Sequence, residues 1–253
     1  MAECRILVGG VPVDVLSRKG WAARIAAYCR VPRPGRPKVV FAANGQVVAT
    51  HAMDPRYRRV FAHADGVTAD GQPLVWASKL TRHPLPERAA TTDLFHDMAQ
   101  RAGAEGLSFF LFGSTERSNA AAAAALAHSY PRVRLVGRRE GYFQAVDEDE
   151  MVTAINALRP DVLWVGLGVR RQEEFVVRNL DRLNQVGCVV TCGGLFDYFT
   201  KNVRRAPSWM QRSALEWLFR VWQEPHKYLY RYLTTNPIAL FLLLTNTRTL
   251  RSE

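Results

Sequence analysis

The chain has little that would mark a secreted, membrane-spanning or metal-built protein. Its four cysteines (Cys4, Cys29, Cys188, Cys192) are few and irregularly spaced over 253 residues. That excludes a disulfide scaffold and leads us to expect buried, reduced thiols in a cytoplasmic protein. The histidines fall in no ligand pattern, so no metal is expected. The N-terminal stretch MAECRILVGG has an acid at Glu3 and only a short apolar run, and no secretory signal is expected from it. The C-terminal apolar run Ile238–Leu244 is seven residues long, against about 20 for a bilayer span. There is no internal repeat, no Gly-x-Gly-x-x-Gly, no Walker loop and no Tyr-x-x-x-Lys pair, which argues against a nucleotide-sugar epimerase or dehydrogenase.

What is present is globular. A hydrophobic fraction of 48% with 23% charged residues suits one substantial core, as a single large domain or two intimate lobes. The balance of 34 Lys+Arg against 23 Asp+Glu gives +11. Nine Lys/Arg and three Glu lie in residues 201–253, so +6 of that excess sits in the tail. A tail of this kind points to an anionic partner: phosphate groups, lipid headgroups or nucleic acid.

Short apolar runs alternate with helical stretches. RILV, KVVFAA, LSFFLFG, VRLVG, DVLWVGLG and CVVTCGG read as strands. Residues 91–102, 115–129, 147–158 and 171–185 read as helices. The rhythm implies βαβ units and an α/β fold, a Rossmann-like parallel sheet flanked by helices, at least over about 106–195. Ligands in such sheets bind at the carboxyl ends of the strands, here FGST, GLGVRRQE and CGGLFD. RVPRPGRPK (30–38) reads as a loop within the body. From about 206 the pattern becomes a basic, aromatic, helical appendage. SWMQRSALEWLFRVWQ is amphipathic, Pro225 breaks or restarts the helix, and Ile238–Leu244 either dips into an interface or packs.

Candidate polar groups sit at strand ends. Asp70-Gly71 and Asn44-Gly45 each follow an apolar run, yet both dipeptides are also ordinary turn or hairpin chemistry. Gln172 and Glu173 suit recognition of a polar ring or sugar, or simply start a solvated helix. Asp197 is placed similarly. Asp147–Asp149 offers a superficial Asp-x-Asp metal signature, but acids before a helix favour its dipole, and capping is the expected role. Arg220, Lys227 and Arg231 share a helical face if the break at Pro225 is shallow.

In order along the chain, GVPVDVLS, NGQVV, ADGQPLVWASKL, ERAATTDLF, FFLFGS, GYF, LWVGLGVRRQEEF, CGGLFDYF, RRAPSWMQRSALEWLFRVWQEP and YRY resemble the WecG/TagA/CpsF family of bacterial glycosyltransferases. The resemblance implies a metal-independent, inverting transferase without cofactor. It would pass a sugar from a UDP-sugar donor to a polyprenyl-diphosphate-linked sugar acceptor in surface or exopolysaccharide assembly. It also implies an α/β catalytic domain over 1–205 with the appendage, 206–253, closing over the site. The expected location is the cytoplasmic face of the plasma membrane, held peripherally through an anionic membrane surface. Asp70 would be the catalytic base, with Arg88 and Gln172 at the site and Arg220, Lys227 and Arg231 holding diphosphate. Asn44, Gly71, Asp93, Glu173, Asp197 and Arg205 fall in the matched motifs as further substrate contacts. The sequence departs from the family at Ala42 (usually Thr), Arg170-Arg171 (usually Pro-Lys), Lys227 (usually Arg) and around Lys201 (usually Gly). The alternative is a basic nucleic-acid-binding module, although no recognised motif supports one and no nucleic-acid partner is expected. Homo-oligomerisation is left open by the sequence.

Overall fold

The computed structural model describes residues 4–200 and 204–250; the departure around Lys201 lies outside the described residues. The chain opens with a hairpin, β1 (Arg5–Val8) and β2 (Val11–Asp14), then helix α1 (Arg18–Tyr28). Next come β3 (Lys38–Ala43), α2 (Gly45–Met53), α3 (Pro55–Phe61), β4 (Gly66–Ala69), α4 (Gln72–Ser78) and α5 (Thr91–Glu105). The second half of the body holds β5 (Ser108–Gly113), α6 (Glu116–Ser129), β6 (Arg134–Arg139), α7 (Glu148–Leu158), β7 (Val162–Gly166), α8 (Arg171–Arg178) and β8 (Cys188–Thr191).

Six strands form one parallel sheet in the order β4-β3-β8-β7-β5-β6. The chain lays β3 and then β4 at one edge, crosses to β5 and β6 at the other, and returns through β7 to β8 beside β3. The inner strands are buried on both faces, which is why KVVFAA, SFFLFG, VLWVG and CVVT are nearly unbroken apolar runs. The edge strand β6 has no buried residue, and its three arginines are the exposed ones. On one face α1, α5 and α6 pack around Trp21, Phe95, Phe109 and Trp164. On the other, α2, α3, α4, α7 and α8 share a core with the hairpin residues Ile6, Val8, Val11 and Val13. Buried Asp14 ties that hairpin to the sheet: it accepts from Val67 N at 2.7 Å and pairs with Arg5 and Arg24.

Helix starts follow side-chain chemistry. Asn44 caps α2 by accepting from Val47 N at 3.1 Å, so Asn44-Gly45 opens a helix and does not turn a hairpin. Asp54 and Thr115 cap α3 and α6 in the same way. The helix expected over 171–185 stops at Arg178, where the Asn179 side chain bonds Phe175 O and Glu148. The Asp147–Asp149 acids lie at the start of α7; Glu148 pairs with Arg178 and Asp149 with Arg182. Three cysteines are buried, and Cys4, expected buried, is exposed.

The parallel sheet begins at Lys38, so it extends beyond the 106–195 stretch expected at the least. After it, a 3₁₀ turn (Leu195–Phe199) leads to α9 (Ser208–Arg212), α10 (Glu216–Gln223) and α11 (Pro225–Thr245). Where the sequence predicts one helix over 208–223, the backbone breaks at Ala214, whose φ is +56°. Pro225 then starts α11, at the helix position where a missing N–H costs nothing. Helix α11 runs along α2, burying Ala239 and Leu243. The chain end is built into the body: Gly10 N donates to Asn246 O at 2.9 Å, and β9 (Arg248–Thr249) pairs with β1. The opposite face of α11 stays exposed and apolar, with Leu233, Leu240, Phe241 and Leu244 each 60–66% exposed. Among the described residues no helix is long and apolar enough to cross a membrane.

Candidate active site

One cavity of about 350 Å³ lies at the carboxyl ends of the strands, with α10 and α11 forming its far wall. Its floor is backbone. Gly113 at the end of β5 has φ +128°, and a Cβ there would sit 2.3 Å from Gly166 O, so strands β5 and β7 approach this closely only through glycine. Every strand end singled out in the sequence contributes: Ser114, Gly166–Val169, Gln172, and Cys192–Leu195 with Asp197 all line it.

Asp70 follows β4 directly. Its backbone N donates to Ala43 O at 2.8 Å, and its Oδ1 accepts from Thr91 N at 3.0 Å, so the carboxylate is fixed at the cavity edge. Arg88 donates from Nε to Asp70 O at 2.6 Å and lies 2.8 Å from Glu216 Oε2 on α10. Asp70, Gly71, Arg88 and Asn44 all line the cavity from the body side.

Gln172 is buried and oriented at both ends. Its Oε1 accepts from Gly193 N at 2.9 Å, and its Nε2 donates to Glu173 Oε1 at 2.7 Å. Glu173 itself is fully buried behind Gln172, off the cavity, where Oε2 accepts from Arg170 N at 2.6 Å. Burial pushes its carboxyl up to about 7, against the pull of those hydrogen bonds. Asp93 and Arg205 likewise stand behind the wall, paired with each other. These three residues, expected as substrate contacts, support the wall and do not line it. Ala42 lines the cavity and its backbone N donates to Thr191 Oγ1 at 3.3 Å. The charge added at Arg170 is taken up by Asp54 and Glu174, both at 2.9 Å.

Across the cavity stand Arg220, Lys227 and Arg231. Arg220 pairs with Glu216 at 3.0 Å and lies over the Tyr198 ring at 5.3 Å. Lys227 is 4.0 Å from Asp197, whose Oδ1 accepts from Ser114 Oγ. Arg231 lies over both Tyr228 (4.6 Å) and Tyr232 (4.4 Å), and its buried Nε has no hydrogen-bond partner. The body therefore brings Asp70, Asp197, Arg88 and Gln172 to the cavity, and the tail brings Arg220, Lys227 and Arg231 with Glu216. Such a cavity can hold a molecule with a polar, hydroxyl-rich end and a multiply anionic end.

Sequence reasoning missed Glu216 and Tyr198. Glu216 had a readable signal, a carboxylate four residues before Arg220, but its contact with Arg88 is non-local. Among the described residues no cluster of three His, Cys, Asp or Glu is arranged to hold a metal.

A family model described as the glycosyl transferase WecG/TagA/CpsF family matches residues 6–253. The chain is 32% identical over 189 residues to an N-acetylglucosaminyldiphosphoundecaprenol N-acetyl-beta-D-mannosaminyltransferase of Bacillus spizizenii, covering 75% of this chain and 72% of that one. It is 30% identical over 205 residues to the protein of the same name in Bacillus subtilis, covering 81% and 78%.

Proposed function

The chain belongs to the WecG/TagA/CpsF family of glycosyltransferases, and on that premise we propose that it moves an N-acetylmannosaminyl-type sugar from a UDP-sugar to a polyprenyl-diphosphate-linked N-acetylglucosamine. The observation that carries this reading is that Asp70 lines the same cavity as Arg220, Lys227 and Arg231. The relatives' names supply the acceptor and the transferred sugar.

The reaction is one in-line displacement. Asp70 takes the proton of the acceptor hydroxyl as that oxygen attacks the donor anomeric carbon. The bond from that carbon to the UDP oxygen breaks, and the configuration inverts. General-base assistance of this kind is worth roughly 10²–10⁴-fold. Thr91 N–H on Oδ1 aims the carboxylate. The departing UDP gains negative charge, which the tail cations offset from fixed positions without a metal ion. Arg231 is suited to this, because its two tyrosine rings hold the guanidinium at the cavity wall. Lys227 offers a point charge where arginine would grip two oxygens.

The exposed apolar face of α11, beside cations that line the cavity, supports docking on the inner leaflet, where a lipid-linked acceptor presents its diphosphate. The test is UDP release from a panel of UDP-sugars in EDTA, with and without a synthetic polyprenyl-diphosphate N-acetylglucosamine. Acceptor-dependent release from one donor supports the reading. Absence of release with every donor, together with absence of UDP binding, contradicts it.

A further inference from the structure

Among the described residues, Glu216 is the one carboxylate in the cavity wall that comes from the tail helices and bonds the body. It stands at the first position of α10 with its side chain 14% exposed. One oxygen accepts from Arg220 at 3.0 Å and from Tyr198 Oη at 3.2 Å; the other faces the Arg88 guanidinium at 2.8 Å. Arg88 in turn donates to the backbone carbonyl of Asp70 at 2.6 Å. A continuous chain of polar contacts therefore runs from α10 to the residue read above as the base.

Two roles fit a carboxylate here. A base needs an oxygen free to take a proton from substrate; Oε1 is taken by Arg220 and Tyr198, and Oε2, buried and without an aligned hydrogen bond, lies against the Arg88 guanidinium at 2.8 Å. Burial would raise its carboxyl, but Arg88 and Arg220 hold it below the usual range, which further weakens it as a base. The other role is positional. Two guanidiniums facing one cavity repel each other, and a carboxylate between them offsets that repulsion and fixes where both point. Charge counting alone gives the opposite expectation. Removing Glu216 leaves the cavity one charge more positive, which should tighten an anion.

We propose that Glu216 is a positioning residue that seats α10 on the Asp70 loop and aims Arg88 and Arg220 together at the diphosphate of the substrates. The ligand class rests on the function proposed above; the coupling across the seam does not. Tyr198 is part of the same device, giving one hydrogen bond to Glu216 and a ring face to Arg220. The arrangement makes anion binding depend on tail docking, so an undocked tail leaves the cavity without two aimed guanidiniums.

The experiment uses the full chain and two variants, Glu216→Gln, which keeps the shape and removes the charge, and Glu216→Asp, which keeps the charge and shortens the reach. UDP affinity is measured by calorimetry, and amide hydrogen exchange is followed at residues 70–72, 88–91 and 216–223. Losing charge-assisted bonds of this kind weakens UDP binding by on the order of 10- to 100-fold in Glu216→Gln. Exchange rises together in α10 and in the 88–91 loop, and Glu216→Asp recovers part of both. Unchanged or tighter UDP binding in Glu216→Gln, or faster exchange confined to α10, overturns the proposal. If the unaltered chain binds no UDP, the transferase reading fails, and the exchange at 88–91 alone decides for or against the coupling.

Discussion

The Arg231 guanidinium lies 4.4 Å above the centroid of the Tyr232 ring, close enough for the ring face to hold the cation. Tyr228 covers it from a second direction at 4.6 Å. Tyr228, Arg231 and Tyr232 lie on one side of α11, so a single helix supplies both the charge and its support. Arg231→Ala is expected to weaken UDP or diphosphate binding by roughly 1.5–3 kcal/mol. Arg231→Lys should recover less than half of that, since lysine keeps the charge but neither the planar stacking nor the paired donors. Calorimetric titration of both variants with UDP checks this.

Burial of Glu173 predicts a pH-dependent stability of defined sign. Its folded carboxyl titrates at about 7 against an ordinary 4.5, so the folded state keeps a proton that the unfolded state gives up. The stabilising contribution is fully present below 4.5 and is lost as pH rises through 7. The difference corresponds to roughly 3 kcal/mol. Glu173→Gln removes the charge and can still accept from Arg170 N through its one oxygen, as the protonated carboxyl can through its carbonyl. Thermal melts of the two proteins should therefore converge at low pH, with the variant the more stable above pH 7. Parallel melting curves across pH 4–8 would contradict this.

Membrane docking is expected to depend on the outward face of α11, not on the whole tail. Deleting 206–253 would also remove β9 from β1 and expose the core around Ala239 and Leu243. The sharper test is Leu240→Glu with Phe241→Glu, because both side chains are exposed and contribute little to the fold. Each loses on the order of 1.5–3 kcal/mol of apolar burial in lipid. Flotation with phosphatidylglycerol vesicles should fall at least about tenfold while the melting temperature holds.

Gly113→Ala should be severely destabilising, by about 3 kcal/mol or more, since its Cβ would collide with Gly166 O. Circular dichroism melts measure it. A soluble variant with an unchanged midpoint would refute the close approach of β5 and β7 described above.

Much of this architecture is legible in the sequence for a physical reason. Parallel strands covered on both faces must be apolar throughout, so KVVFAA, SFFLFG, VLWVG and CVVT announce themselves, and the glycines that end them mark the cavity floor. The β2 strand is harder to see, because VPVD is four residues long and contains a proline. The break at Ala214 is invisible to propensity. Alanine is the best helix former, and only its surroundings hold it at φ +56°. The adjacent pair Gln172-Glu173 shows a different limit. Successive helical residues point about 100° apart, so one faces the cavity while the other is buried behind it. Sequence alone does not say which. The pairing of Asp93 with Arg205 joins residues 112 apart in the chain, and no local pattern announces it.

The most direct test of the account is Asp70→Asn, measured for sugar transfer and for UDP binding on the same preparation. Turnover is expected to fall by roughly 10²–10⁴-fold while UDP affinity stays within a few-fold, because Thr91 N–H and Arg88 still hold the loop. Near-normal turnover with normal UDP binding would show that another group takes the proton, and the assignment of Asp70 would be wrong.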